Sequence, residues 1–291
     1  EVSPEVRPFD PENRLIFMTG PLAGTVAPSA VRWQVCAKSP MAYPEQYGYG
    51  NMGGYWGAEL KFAGYDGLVI QGRSSEPVVL WIDDSRVELR EAGGLWGMTP
   101  PEATERLRKE LGPDVRVLSL GPAGERKVRF ANLMTDDGAS ATSGFGSIMG
   151  SKNLKAIVVR GSHRRLPPAR PEELARVRDQ IDRLTRCSDP WRFLLAGTEL
   201  VRQIRCYNCP TGCIRGLYRT SSGEEGKAMC QAAFVYQPWD QKYHGRPTEA
   251  AFWATQLCDR FGLCTKEIGS MLAWLDACHR EGLLTEEEAG L

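Results

Sequence analysis

Histidine is scarce in this chain. Three residues, His163, His244 and His279, in 291 leave little material for an imidazole-rich metal site or a histidine-driven proton relay. Each stands alone and reads as structural, with His244, downstream of Cys230, the one nearest a candidate site. Net charge is missing too: Lys+Arg 36 against Asp+Glu 36 removes the bulk attraction that nucleic acid or an anionic membrane requires. Neither is expected as a partner. No apolar run reaches the roughly 18 residues of a membrane span, and no basic-then-apolar leader opens the sequence. A cytoplasmic location is therefore expected. The dinucleotide fingerprint is lacking as well, because Gly144-x-Gly146-x-x-x-Gly150 misses its spacing by one, which sets NAD aside.

What is present is enough apolar material, 42%, for the core of one large or two ordinary domains. There are also nine cysteines. Three of them fall in Cys206-Tyr207-Asn208-Cys209-Pro210-Thr211-Gly212-Cys213, a C-x2-C-x3-C run. Such spacing lets neighbouring thiolates reach different corners of an iron–sulfur cube. Pro210 keeps a helix from absorbing the ligands, and Gly212 lets the backbone wrap closely. The order differs from the C-x3-C-x2-C of radical enzymes that bind S-adenosylmethionine. Competing readings are a zinc knuckle or buried free thiols, but no second C-x2-C half and no His lies near. Cys36, Cys187, Cys258, Cys264 and Cys278 have no such placement.

Residues 12 to 161 read mainly as antiparallel β. Strands are expected at Leu15 to Met18, Val31 to Ala37, Gly67 to Ile70, Val78 to Ile82, Val87 to Arg90, Val115 to Leu120, Lys127 to Met134 and Lys155 to Val159. Asp83-Asp84-Ser85 reads as a hairpin turn, and one helix runs from Thr99-Pro100-Pro101 to Gly112. Leu166 to Pro171 is Pro-rich and marks a boundary. Beyond it, apolar spacing of three and four predicts helices over 172–187, 190–204, 248–261 and 266–280, with Phe252, Trp253, Trp274 and Leu275 on packing faces. The fold class expected is α+β, with a β-rich part over 1–161 and a helical part over 162–291. The absence of an initiator Met, a capping box at Thr285 to Glu288, and three cluster thiols where a cube needs four all predict a fragment.

Two stretches carry more glycine than a turn needs, Gly48 to Leu60 and Ser143 to Asn153, as if backbone N–H groups must approach a phosphate or a flat polar ring. Gly53 to Asp66, Gly121 to Glu125, Met149 to Ala156 and the Cys206 loop, in that order, closely resemble the aldehyde:ferredoxin oxidoreductase family. That resemblance implies a tungsten (or molybdenum) bis-pterin cofactor on the β-rich part, a 4Fe-4S cluster at Cys206, Cys209 and Cys213, and a further C-terminal helical domain absent here. It implies oxidation of aldehydes to carboxylic acids, with electrons leaving through the cluster to ferredoxin or another electron-transfer subunit, and it leaves room for a homo-oligomer. By position, Arg32, Asn51 and Gly53 would contact the pterins. Gly144, Phe145 and Gly146 fall in the second pterin loop, where Thr142-Ser143-Gly144 replaces the usual Arg-Gly-Gly. Aldehyde-oxidising members carry Glu-Tyr-Glu where this chain has Glu225-Gly226-Lys227-Ala228-Met229-Cys230. Cys230 there is similar to the metal-ligating cysteine in the tungsten subunit of class II benzoyl-CoA reductase. This opens an acyl-CoA-reducing reading, or a noncatalytic electron-transfer or scaffold subunit, beside the aldehyde one.

Overall fold

The computed structural model describes residues 2–164, 167–186 and 195–289. Strands β1 (Leu15–Thr19), β2 (Trp33–Ser39) and β3 (Gln46–Met52) run antiparallel; after helix α1 (Trp56–Phe62), β4 (Gly67–Ile70) returns to the far side of β1, for an order β3-β2-β1-β4. Side-chain alternation splits this sheet into two faces. Leu15, Phe17, Trp33, Val35 and Ala37 are buried, whereas Met18, Gln34, Tyr47, Tyr49 and Val69 are exposed. Gly48 and Gly50 lie opposite Ala37 and Val35 on the inward face. A Cβ at Gly48 would sit 2.7 Å from that of Ser39, and one at Gly50 2.9 Å from that of Ala141. The first glycine-rich stretch therefore begins as a strand, and these two glycines serve core packing and not ligand approach.

The second sheet contains β5 (Val78–Asp83), β6 (Arg86–Glu91), β7 (Arg116–Leu120), β8 (Leu133–Thr135), β9 (Ser140–Ala141) and β10 (Leu154–Arg160), in the order β6-β5-β10-β7-β8-β9. The β5–β6 hairpin turns at Asp84 as expected, and only β10 with β5 pairs in parallel. Helices α2 (Pro100–Leu111), α3 (Pro122–Glu125) and α4 (Phe145–Ser151) interrupt the strands. Thr99 and Glu102 form a capping box at the start of α2, Pro100 and Pro101 open it, and Gly112 ends it at φ 107. Strands β5, β7 and β10 bury both faces, hence their near-continuous apolar runs. Val79, Trp81, Val117 and Val158 meet Ala103 and Leu107 of α2 on one face; Ile82, Leu118, Ile157 and Val159 meet the first sheet, α1 and α4 on the other. The strand expected over Lys127 to Met134 forms only at its end. Lys127 takes φ 56 and Val128 N–H turns back to the Ala123 carbonyl, so the chain wraps around α3 first.

The second part opens with α5 (Pro171–Arg186) and is not purely helical. Strands β11 (Glu199–Gln203), β12 (Gly216–Arg219) and β13 (Glu225–Ala228) form an antiparallel sheet in that order. The helix expected over 190–204 is thus corrected at its C-terminal end, where Glu199 to Gln203 pair with β12; residues 187–194, Cys187 included, lie outside the described residues. Helices α6 (Gln237–His244), α7 (Ala250–Phe261), α8 (Thr265–Arg280) and α9 (Glu286–Ala289) follow. Phe252 and Cys258 of α7 share a core with Leu195, Tyr218, Ala232 and Tyr236, and Ile268 of α8 packs against it. Trp253 and Trp274 are 38% and 63% exposed, against the expected packing role. No helix among the described residues is long and apolar enough to cross a membrane.

Candidate functional site

The cysteine loop of the second part is seated on the turn that follows β3. Trp33 Nε1 donates to the Gly53 carbonyl at 3.1 Å, and the Tyr207 N–H donates to the Gly54 carbonyl at 3.1 Å. A Cβ on Gly53 would lie 2.7 Å from Cys206 Sγ; one on Gly54, at φ +83, would lie 2.4 Å from the Asp137 carboxylate. Gly53 and Gly54 are glycines because the cysteine loop and Asp137 occupy the space of their side chains. Exposed Arg32 donates to the Asn51 carbonyl at 3.3 Å, which leaves a guanidinium and an exposed amide side by side at the end of the outward sheet face. That pairing suits a phosphate and a polar ring edge.

The loop itself is held along its length. Asn208, at φ 49, donates to the Ala27 carbonyl at 3.1 Å and accepts from the Ser29 N–H at 3.0 Å. Tyr207 packs edge-on against Tyr55 and Phe62. Arg205 donates to the Pro210 carbonyl and Gln203 to that of Cys213. Burial opposes ionisation of Cys209, but the Gly212 N–H at 3.2 Å and the Ser29 and Thr211 hydroxyls outweigh it and hold the thiol below its ordinary value. Cys206 and Cys209 are half-buried and Cys213 is exposed. Among the described residues no three His, Cys, Asp or Glu side chains converge closely enough to hold one ion. The chemistry of the loop nevertheless fits an iron–sulfur cluster: three soft thiols on one short loop, with a cation against the first.

That cation is Arg215, 2% exposed, whose Nη2 donates to Cys206 Sγ at 3.4 Å and whose Nη1 lies 3.7 Å from Asp137 Oδ1. Sequence reasoning passed over both residues. The available signals were an arginine two positions after Cys213 and the Asp136-Asp137-Gly138 turn; nothing local joins them. Beside Asp137 a cleft of about 1050 Å³ opens between the two parts, bordered by Tyr55, Arg116, Arg205, Lys227 and Arg260.

Gly144, Phe145 and Gly146 lie at the buried start of α4. Phe145 is 0% exposed in the core, and the Gly146 N–H is committed to the Ala131 carbonyl at 3.1 Å. A Cβ on Gly146 would lie 2.2 Å from the Asn132 carbonyl oxygen. Phe145 and Gly146 thus face the core at this helix start. Cys230 is exposed, just after β13, and the chain then forms a π-helical turn over Ala232–Tyr236, a distortion common at functional sites. The histidines are occupied locally: His163 and His279 meet the carbonyls of Phe62 and Leu284, and His244 meets Asp240 of its own helix at 3.0 Å. Cys258 and Cys264 are buried, the former 2.7 Å from the Tyr236 hydroxyl.

Residues 1–161 match the family model described as aldehyde ferredoxin oxidoreductase, N-terminal domain. The chain belongs to the aldehyde ferredoxin oxidoreductase family. The tungsten-containing aldehyde ferredoxin oxidoreductase of Pyrococcus abyssi is 36% identical, across 100% of this chain and 54% of the relative. An aliphatic sulfonate oxidoreductase, WOR-like subunit, of Pyrococcus furiosus is 28% identical, across 98% and 53%. Among solved structures, the active site complex BamBC of benzoyl coenzyme A reductase with 1,5-dienoyl-CoA superposes with a TM-score of 0.86 at 27% identity, covering 98% of this chain and 50% of that one. The chain thus spans about half the length of the relatives it matches, and it shares the α+β fold with this family.

Proposed function

We propose that this chain is part of a tungsten (or molybdenum) bis-pterin, 4Fe-4S oxidoreductase that oxidises aldehydes to carboxylic acids. When bound, the metal pterin would accept two electrons from the substrate and the cluster would release them singly to ferredoxin or a similar subunit. Arg32 would neutralise pterin phosphate, Asn51 would hydrogen-bond the ring edge, and Gly53 would let cluster loop and pterin strand meet. Cys206, Cys209 and Cys213 would hold three corners of the cluster. The division into a cofactor part over 1–161 and a cluster-bearing part over 162–291 belongs to the same reading. The observation that carries it is the seating of Cys206 Sγ on the Gly53–Gly54 turn, next to the Arg32–Asn51 strand end.

A second reading is favoured by Cys230, exposed ahead of a π-helical turn in a chain that superposes on a benzoyl-CoA reductase complex. A thiolate there would occupy a position on the metal and make the site reductive toward an aromatic acyl-CoA. The test is elemental analysis of the complete natural protein purified anaerobically, followed by assays with aldehydes and aryl-CoA thioesters. Tungsten or molybdenum near one per chain, about four irons and aldehyde turnover uphold the first reading. Turnover of thioesters alone, abolished by Cys230→Ala, upholds the second. A protein with neither iron nor tungsten nor molybdenum sinks both and leaves a scaffold subunit.

A further inference from the structure

Arg215 is the least expected group in the site. A guanidinium that is 2% exposed has lost its water, and such a group is tolerated only beside compensating charge and hydrogen-bond acceptors. Three partners surround it: the Ile204 carbonyl at 3.5 Å from Nε, Cys206 Sγ at 3.4 Å from Nη2, and Asp137 Oδ1 at 3.7 Å from Nη1. Asp137 is itself nine-tenths buried. Its Oδ1 accepts from the Thr135 hydroxyl at 2.6 Å and the Ala139 N–H at 3.3 Å, while its Oδ2 is buried with no hydrogen-bond partner among the described residues. The result is a row of carboxylate, guanidinium and sulfur that runs from the β-rich part to the cysteine loop. Gly54 lets Asp137 approach at one end and Gly53 lets Cys206 approach at the other.

We infer that Arg215 and Asp137 form a built-in charge pair that sets the reduction potential of the cluster at the Cys206 loop, with Arg215 raising it and Asp137 moderating that effect. The inference rests on the cluster reading above. Both residues are positioning residues, since they act through Cys206 and touch no reacting atom. The physical basis is direct. A reduced cluster carries one more negative charge than an oxidised one, so a fixed cation hydrogen-bonded to a ligand sulfur favours reduction, and an anion behind that cation opposes it. Burial keeps both effects from being screened. A merely structural pair would hold the loop in place without giving the two residues opposite signs.

The experiment uses the complete natural protein, purified anaerobically, as wild type and as Arg215→Gln, Arg215→Lys and Asp137→Asn. Asp137→Asn is close to isosteric and keeps an acceptor for Thr135. Iron per chain is measured first, and the cluster midpoint is then followed by EPR during a redox titration. The expected result is a midpoint lower than wild type in Arg215→Gln, higher in Asp137→Asn and near wild type in Arg215→Lys, with iron content kept. Shifts of the same sign in Arg215→Gln and Asp137→Asn, or midpoints that do not move in iron-replete variants, overturn the inference and leave the cluster reading intact. If Arg215→Gln sheds its iron, Asp137→Asn decides alone: a higher midpoint upholds the pair, and an unmoved one overturns it. A wild-type protein without iron removes the cluster reading and this inference together.

Discussion

A methyl group added at Gly53 would meet Cys206 Sγ at 2.7 Å in a place where both backbones are pinned, so the sulfur must move. Gly53→Ala is expected to cost about 1–3 kcal/mol, the usual penalty for overpacking, and to lower bound iron well below the wild-type level. Gly94→Ala is the matching control: at φ −77 with open space around it, this substitution should shift stability by no more than about 0.5 kcal/mol. Thermal melts and iron assays on the same preparations check both. Gly53 was legible in the sequence because it belongs to a contiguous motif; that the cysteine loop fills the space it leaves is a tertiary fact the motif does not carry. Arg215 and Asp137 were not legible, since their meeting is a tertiary contact between distant positions with no periodicity to announce it. Phe145 and Gly146 show another limit: glycine density marked this stretch in the sequence, but the helix start it forms, pressed against the Asn132 carbonyl, is visible only in the fold.

At the scale of elements, the motifs Gly121 to Glu125 and Met149 to Ala156 turn out to hold each other. A Cβ on Gly150 would sit 2.1 Å from the Gly124 carbonyl oxygen, and Lys155, wholly buried, pairs with Glu125 while donating to the Met98 carbonyl at 2.7 Å and the Leu120 carbonyl at 3.1 Å. Burial pulls the Lys155 ammonium below its ordinary value, and the Glu125 carboxylate works against that shift. Removing one partner strands the other, so Lys155→Met is expected to cost about 3–5 kcal/mol, measured by denaturant unfolding, with part of the loss restored in Lys155→Met/Glu125→Gln. The register of β5 against β10 is fastened by Asp83 and Arg160, whose Nε donates at 2.8 Å. Hydrogen bonds from Arg160 hold the Asp83 carboxyl below its ordinary value, with burial working against them. A depressed carboxylate adds stability above its unfolded value of about 3.9, and that stability is lost as pH falls through the lower folded value. Asp83→Asn should therefore flatten the acid limb of the stability curve below about pH 4 and leave its slope near neutrality unchanged. A titration of unfolding midpoints against pH would show it. Strands β5, β7 and β10 were legible because their apolar runs are bounded by Gly, Pro and charged turns. Strands β11 to β13 were not: Glu199 to Gln203 is short, its apolar residues continue the spacing of the preceding segment, and only the long-range partner Gly216 to Arg219 makes it a strand.

Over the whole molecule, the two parts meet through more than the cysteine loop. The Asn132 N–H donates to the Gly262 carbonyl at 2.8 Å, its Nδ2 donates to the Leu263 carbonyl at 3.0 Å, and the Cys264 N–H donates to the Phe130 carbonyl at 3.1 Å. Gly121 lies so close to the Phe261 carbonyl that a Cβ there would be 2.5 Å from its oxygen. Lys227 crosses Gly138 to pair with buried Asp259 at 2.6 Å. The start of α8 is therefore fixed to the β-rich part, as the cysteine loop is fixed to it at Gly53, and the loop itself lies between β11 and β12, whose sheet packs against α7 through β13. If both are needed to present the cysteines correctly, loosening one should be felt at the other. Asn132→Ala removes one hydrogen bond and is expected to cost about 1–2 kcal/mol. Amide exchange should speed up at Leu263 and Cys264 and, to a smaller degree, at Tyr207 and Cys209, while β10 amides keep their protection. A uniform change across all amides would mean that the parts unfold as one unit; acceleration at Leu263 and Cys264 alone would mean that the cysteine loop depends on the Gly53–Gly54 turn and on nothing further away.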